Sequence, residues 1–230
     1  MIERVVGAFL CAVVLVQPAL AQVGHEPERS PYRDLEYSQE LTLLSGWMKA
    51  RHDPAGIAPN GFAMLGARYE WTLTGPLALS ADVLGGSTHR DVIDPLRPAA
   101  TRHIGTQSSK EFAADLALVM NLTGARSWHG MVPQVRTGLG VVHNGASDDS
   151  TGFAFGTPFA FSFGGGVKYV PNGRVQLRVD LTDRLFKLNY ADAYYRAASD
   201  NTSVLSSSTA RSFYTHHTAL TVGLSYLFAR

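Results

Sequence analysis

Residues 218–228 read TALTVGLSYLF. From Leu220 onward every second residue (Leu220, Val222, Leu224, Tyr226, Phe228) is large and apolar, while Ala219, Thr221, Gly223 and Ser225 between them are small or weakly polar. A backbone that sends successive side chains to opposite faces is a β-strand, so this period of two predicts a strand with two unlike faces. Seven earlier stretches predict strands in the same way: residues 38–49, 61–74, 77–85, 112–122, 131–142, 158–170 and 174–185. The expected fold is therefore all-β, with eight strands.

One face of each strand is apolar. In the second, Ala63, Leu65, Ala67, Tyr69, Trp71 and Leu73 share a side; in the sixth, Phe159, Phe161, Phe163, Val167 and Tyr169 do. The reverse faces carry Arg68, Glu70, Asp82, Asp115, Arg136, Lys168, Arg178, Asp180 and Arg184. Aromatic residues gather near the strand ends (Trp47, Tyr69, Trp71, Tyr169, Tyr226, Phe228), as the interfacial girdles of a membrane barrel require. The connections run medium, tight, long, short, long, tight, longest, so that every second one is short. Thr74-Gly75-Pro76 and Pro171-Asn172-Gly173 are strong turn signals. In an up-and-down antiparallel transmembrane barrel, short turns face the periplasm and long loops face outside, and an even strand count returns both ends to the periplasmic side. A soluble meander has no reason to alternate in this way.

The start of the chain agrees. Residues 1–21 combine a short charged start (Glu3, Arg4), an apolar run and an Ala19-Leu20-Ala21 site, the pattern of a cleavable signal peptide too short to span a bilayer. Cleavage would leave a charged, proline-punctuated segment, residues 22–37, expected to be loosely ordered, followed by a barrel over residues 38–230. Cys11, the chain's one cysteine, lies inside the signal, so the exported protein would have no disulfide and needs another source of stability. A formal net charge of +1 provides no electrostatic footprint for nucleic acid. Beyond the signal no apolar run approaches the roughly twenty residues of a transmembrane helix.

An eight-stranded barrel encloses only enough room for its own side chains. Five basic and four acidic candidates would nearly neutralise one another inside it, with Gly138, Gly140, Gly164 and Gly166 leaving space for the long Arg side chains opposite. Pairing is the usual fate of buried charge, which favours a filled axis over an open path lined by Arg136, Arg178 and Asp115.

The strand Gly164-Gly165-Gly166-Val167-Lys168-Tyr169, the Pro-Asn-Gly turn and the run Arg178-Val179-Asp180-Leu181-Thr182-Asp183 resemble the penultimate hairpin of the small eight-stranded outer-membrane barrels, the OmpA/OmpX-like group. Thr221, Gly223, Tyr226 and Phe228 resemble that group's terminal-strand signal, which the barrel assembly machinery reads. The resemblance covers residues 38–228 and implies a place in the outer membrane of a Gram-negative-type bacterium. It also implies contact with outer-membrane lipid and lipopolysaccharide, and delivery by periplasmic chaperones. Two departures stand out: Ala229 and Arg230 follow the Phe that usually ends such chains, and no second domain follows, so a peptidoglycan-binding role is not implied.

Some small outer-membrane barrels modify lipid A. His143, Ser147 and Asp148 share one outer loop, and His216 and His217 sit near the start of the last strand, but none stands in a Gly-x-Ser-x-Gly or His-x-Ser setting. The adjacent histidines point to opposite faces of a strand and cannot chelate one metal. The expectation is a non-enzymatic protein without metal or cofactor, with a structural, envelope-integrity or surface-binding role. A narrow porin-like channel is the alternative, and a lipid A-modifying enzyme a more distant one. Residues 86–109 and 186–212, the latter with Tyr190, Tyr194, Tyr195 and Arg196, are the expected contact loops for an outside ligand whose identity the sequence does not supply.

Overall fold

The period-two alternation becomes a closed ring of strands in the computed structural model, which describes residues 30–145, 153–171 and 173–229. The expected signal peptide lies outside the described residues, as do residues 22–29, Ser147, Asp148, Asn172 and Arg230. The strands are β1 (Tyr32–Asp34), β2 (Gln39–Ala50), β3 (Phe62–Thr74), β4 (Leu77–Ile93), β5 (His103–Asn121), β6 (Arg126–Trp128), β7 (Met131–Asn144), β8 (Phe159–Tyr169), β9 (Val175–Asn189) and β10 (Ser212–Phe228). The eight long strands, β2 to β5 and β7 to β10, pair antiparallel in chain order, and β10 returns to β2 with Phe228 opposite Gln39 and His217 opposite Ala50. Among the described residues, closure leaves the eight long strands without a free edge, the condition for crossing hydrocarbon with strands.

Alternation decides the two surfaces. Leu43, Leu65, Leu116, Phe159, Leu181 and Val222 point outward and are about half exposed or more, whereas Thr42, Ser80, Asp82, Arg178 and Asp180 point inward and are buried. This inverts a soluble protein, and the wall of exposed Leu, Val and Phe is far larger than water tolerates on a monomer. Its natural solvent is a bilayer. No helix among the described residues is long and apolar enough to cross a membrane.

The structure corrects several expected boundaries. Residues 86–109 are not a loop: β4 and β5 continue as a paired hairpin from Gly86↔Glu111 to Ile93↔His103, with a register shift between Val92 and Ile93. Polar residues still alternate there, Thr88 and Arg90 buried against exposed His89, but the outward side is no longer apolar, so the hydrophobic signal fades while the hydrogen-bond ladder goes on. Residues 186–189 and 212–217 likewise extend β9 and β10 upward, pairing Asn189 with Ser212. At β4's 17 residues and β10's 17, these strands exceed the 9–11 needed for one crossing and stand clear of the bilayer at the loop end.

The segment expected to be loosely ordered also differs. Within it, β1 pairs with β6 (Asp34↔Arg126, Tyr32↔Trp128), and the Leu35 amide donates to the Ala125 carbonyl. Arg174 lies over the Tyr37 ring at 5.6 Å. Residues 33–38 thereby form a strap over the turn-side mouth. Its charged, proline-flanked composition hid a strand whose partner is a three-residue segment far along the chain.

Candidate functional site

The inside of the ring is ordered in layers from the short-turn end to the long-loop end. Under the strap lies a cavity of about 540 Å³, bordered by Tyr37, Glu40, Asn121, Lys168 and Gln176. Above it the strands aim charge at the axis. Arg68, on β3, donates through Nε and Nη2 to both oxygens of Asp82 on β4 (2.8 Å each) and through Nη1 to Asp180 on β9 (2.9 Å). Arg136, on β7, reaches Asp82 at 2.6 Å. Arg178 holds Asp180 (2.9 Å), Glu40 (2.9 Å) and Glu70 (3.3 Å). Lys168, on β8, bridges Glu40 at 2.9 Å and Glu70 in a shorter contact. One layer higher, Arg184 pairs with Asp115 at 2.6 Å.

All nine charged residues singled out from the sequence thus lie inside, buried, and in ion pairs. The tenth member, Glu40, is absent from that set. Its inward position was legible, since it alternates with Leu41 and Leu43, but it stands at the edge of the first strand beside the charged leader. With Glu40, five carboxylates (40, 70, 82, 115, 180) face five cations (68, 136, 168, 178, 184), so the spanning part of the axis is balanced. A buried charge without a partner costs several kcal/mol, and this balance removes that penalty.

Gly164 stands opposite Arg136, as expected, but two other glycines serve the network differently. Gly140 stands opposite Asp115 and Gly166 opposite Asp180 in the strand ladders. A Cβ at Gly140 would lie 2.6 Å from Asp115 Oδ1, and one at Gly166 would overlap Asp180 Oδ1. These glycines make room for neighbouring-strand carboxylates, which in turn hold the arginines, rather than for arginines opposite.

Toward the loops, the lumen turns apolar. Leu44, Met48, Phe62, Met64 and Leu84 pack on the β2–β4 side. Higher still, Ile57, Val142, Phe153, Phe155, Phe186, Tyr190, Tyr194 and Leu205 form a cluster drawn from three loops and the strand ends below them. Between the charged layer and this plug, His217 Nδ1 meets Glu111 at 3.0 Å, and its ring packs edge-on against Phe186 at 4.6 Å. Asp53 anchors the plug: it accepts from the Ala55 amide (3.1 Å), the Ala58 amide (2.9 Å) and the Tyr190 hydroxyl (2.5 Å). Burial, reinforced by the Asp53 hydrogen bond, pushes the Tyr190 phenol above its ordinary range, so it remains a donor.

Two of the tyrosines expected to greet an outside ligand are therefore committed elsewhere. Tyr190 and Tyr194 are buried in the plug, because β9 continues to Asn189 and turns the following loop inward over the mouth. Tyr195 remains at the surface, hydrogen-bonded to the Ala210 carbonyl, with Arg211 over its ring. Asp200 latches two loops together by accepting from Thr202 and from the Ala99 amide. Its carboxyl is held down to about 2, first by the Thr202 hydroxyl and then by the Ala99 amide.

His216 and His217 diverge as an adjacent pair on a strand must. His216 faces outward, bonded through Nδ1 to Asp183 (2.5 Å), whose other oxygen accepts from Thr218 (2.8 Å). The hydroxyl thus donates to the carboxylate and not to the imidazole, so the three groups are not arranged as nucleophile, base and orienter. His143 bonds Thr157 at 2.7 Å, away from both. Of the residues expected to form a terminal-strand signal, Thr221 points inward, Tyr226 outward beside Arg174, and Phe228 meets Tyr69 ring to ring at 6.2 Å.

Among solved structures, the chain is similar to Neisserial surface protein A, with a TM-score of 0.50 at 12% identity, covering 83% of this chain and 97% of that one. The chain has the fold of the small outer-membrane β-barrels. OprG of Pseudomonas aeruginosa (TM-score 0.49, 11% identity, 84% and 98% covered) and the N-terminal barrel domain of OprF from the same organism (0.45, 12%, 83% and 100%) are also similar. Neither a protein-family model nor a curated protein sequence matches. At 12% identity the likeness to Neisserial surface protein A is one of fold.

Proposed function

We propose that this protein is a closed, non-enzymatic barrel of the outer membrane, which anchors and displays its long loops for envelope integrity or surface binding. The observation that supports this reading most directly is the double obstruction of the axis, by the balanced ion network and, toward the loops, by the apolar cluster tied down by Asp53 and Tyr190. Planar-bilayer recording tests it: the reconstituted protein adds no stepwise current, and discrete single-channel steps would reinstate the narrow-channel reading. Lipid A mass spectra that change on expression of the protein would point instead to an enzyme. We further propose that Thr221, Gly223, Tyr226 and Phe228 form the strand that the barrel assembly machinery recognises. In support, β10 closes the ring on β2, so its docking completes the fold. Outer-membrane lipid and lipopolysaccharide surround the wall, and periplasmic chaperones deliver the chain.

A further inference from the structure

The outward face of β2, β10 and β9 changes character abruptly at the loop end. Below, Leu220, Val222 and Leu181 are about half exposed. Directly above them, cations stand on either side of β10: Lys49 on β2, Arg51 just after that strand's end, and Lys187 on β9. Lys49 stands in register with Thr218, and Thr218 with Asp183. One row higher, the Arg51 amide bonds the His216 carbonyl; the next row pairs Tyr214 with Lys187. Lys49, Arg51 and Lys187 are exposed and make no ion pair among the described residues. Asp183, the carboxylate within the patch, is occupied by His216 and Thr218.

With strands about 4.8 Å apart and like-facing residues about 7 Å apart along each, Lys49 and Lys187 lie on the order of 17 Å from each other at Cα, with Arg51 between. Long, flexible side chains from positions so spaced have the reach to contact one headgroup between them. Lys110 on β5, by contrast, stands in the ladder between Ser87 and Gly145. Exposed cations just above exposed hydrocarbon-facing side chains, beside Tyr214 and Trp47, are the arrangement that holds an anionic headgroup while its acyl chains lie on the wall below.

We infer that Lys49, Arg51 and Lys187 form a binding site for the phosphorylated headgroup of an outer-leaflet glycolipid, seated on the β2–β10–β9 wall. The inference rests on the bilayer placement of the barrel and not on a closed lumen, so single-channel currents would leave it untouched. The test compares wild type, the triple variant K49Q/R51Q/K187Q and the control K110Q, each shown folded by its heat-dependent gel shift. Binding of lipopolysaccharide, of the same lipopolysaccharide stripped of phosphate, and of inorganic phosphate is measured in one neutral detergent. Each cation near an anionic membrane surface contributes roughly fivefold, so the triple variant is expected to lose on the order of a hundredfold in affinity for lipopolysaccharide. K110Q is expected to stay close to wild type, and the stripped lipid to bind wild type and triple variant alike. Loss of less than threefold in the triple variant, equal binding of the stripped lipid to wild type, or no measurable binding by wild type overturns the proposal. Displacement of the lipid by equimolar inorganic phosphate would reduce the patch to a general anion site, which also overturns it.

Discussion

Replacing Arg178 by Met removes the cation that touches the most carboxylates. Its guanidinium is fully buried and holds Asp180, Glu40 and Glu70 at 2.9, 2.9 and 3.3 Å. Each hydrogen bond to a charged partner contributes roughly 1.5–3 kcal/mol before desolvation is counted. Burying the guanidinium offsets much of that sum, and removing one partner of a buried set typically costs about 3–5 kcal/mol. The lower end applies here, because Lys168 still neutralises Glu40 and Glu70, and Arg68 still holds Asp180. We expect Arg178→Met to destabilise the barrel by about 3 kcal/mol, and with a urea slope of about 2 kcal/mol/M to lower the unfolding midpoint by roughly 1.5 M. The assay is reversible urea unfolding in lipid vesicles, followed by tryptophan fluorescence and gel shift. Because the network is out of reach of solvent ions, the loss should change little between low and high salt. Adding Glu40→Gln restores neutrality and should recover at least about 1 kcal/mol. A single variant within about 1 kcal/mol of wild type, or a double variant less stable than the single, would refute the claim that charge balance holds the lumen together.

Gly166→Ala should cost about 1–3 kcal/mol in the same unfolding assay, because the new methyl overlaps the Asp180 carboxylate and the Val179 carbonyl; an unchanged midpoint would show that the space is not needed. Tyr190→Phe leaves Asp53 two of its three donors and should speed amide exchange at Ala55 and Ala58 by about tenfold or more, a loosening of the plug that exchange measured by NMR in nanodiscs would detect. The Asp200 latch is pH-dependent: its folded pKa of about 2 lies below the unfolded value of about 3.9, so its contribution is present above that value and is lost as pH falls from about 4 through 2. Protection of the Ala99 amide should fall over that window, and Asp200→Asn should abolish the pH dependence; a midpoint near neutrality would exclude Asp200 as its source.

Local chemistry alone was sufficient to reveal the strands that cross the bilayer. In residues 218–228 as in 174–185, a wall that meets hydrocarbon on one side and packed charge on the other forces strict alternation, and alternation is visible in one dimension. The inward position of Arg68, Asp82 and Arg178 follows from the same period. What one dimension did not contain was who meets whom. Asp180 receives Arg68 from a strand more than a hundred residues away, Gly166 is needed by a carboxylate on the next strand, and Glu40 belongs to a network whose other members lie far along the chain. Nor did composition mark where strands end once they leave the lipid: the outward faces of residues 86–93 and 212–217 become polar while backbone pairing persists, because water no longer selects for apolar side chains there. The inward turn of Tyr190 and Tyr194, and the strap of residues 33–38, depend on contacts between segments distant in sequence. The bilayer writes its constraint into every second residue, whereas the closing of the ring alone determines which buried groups become partners.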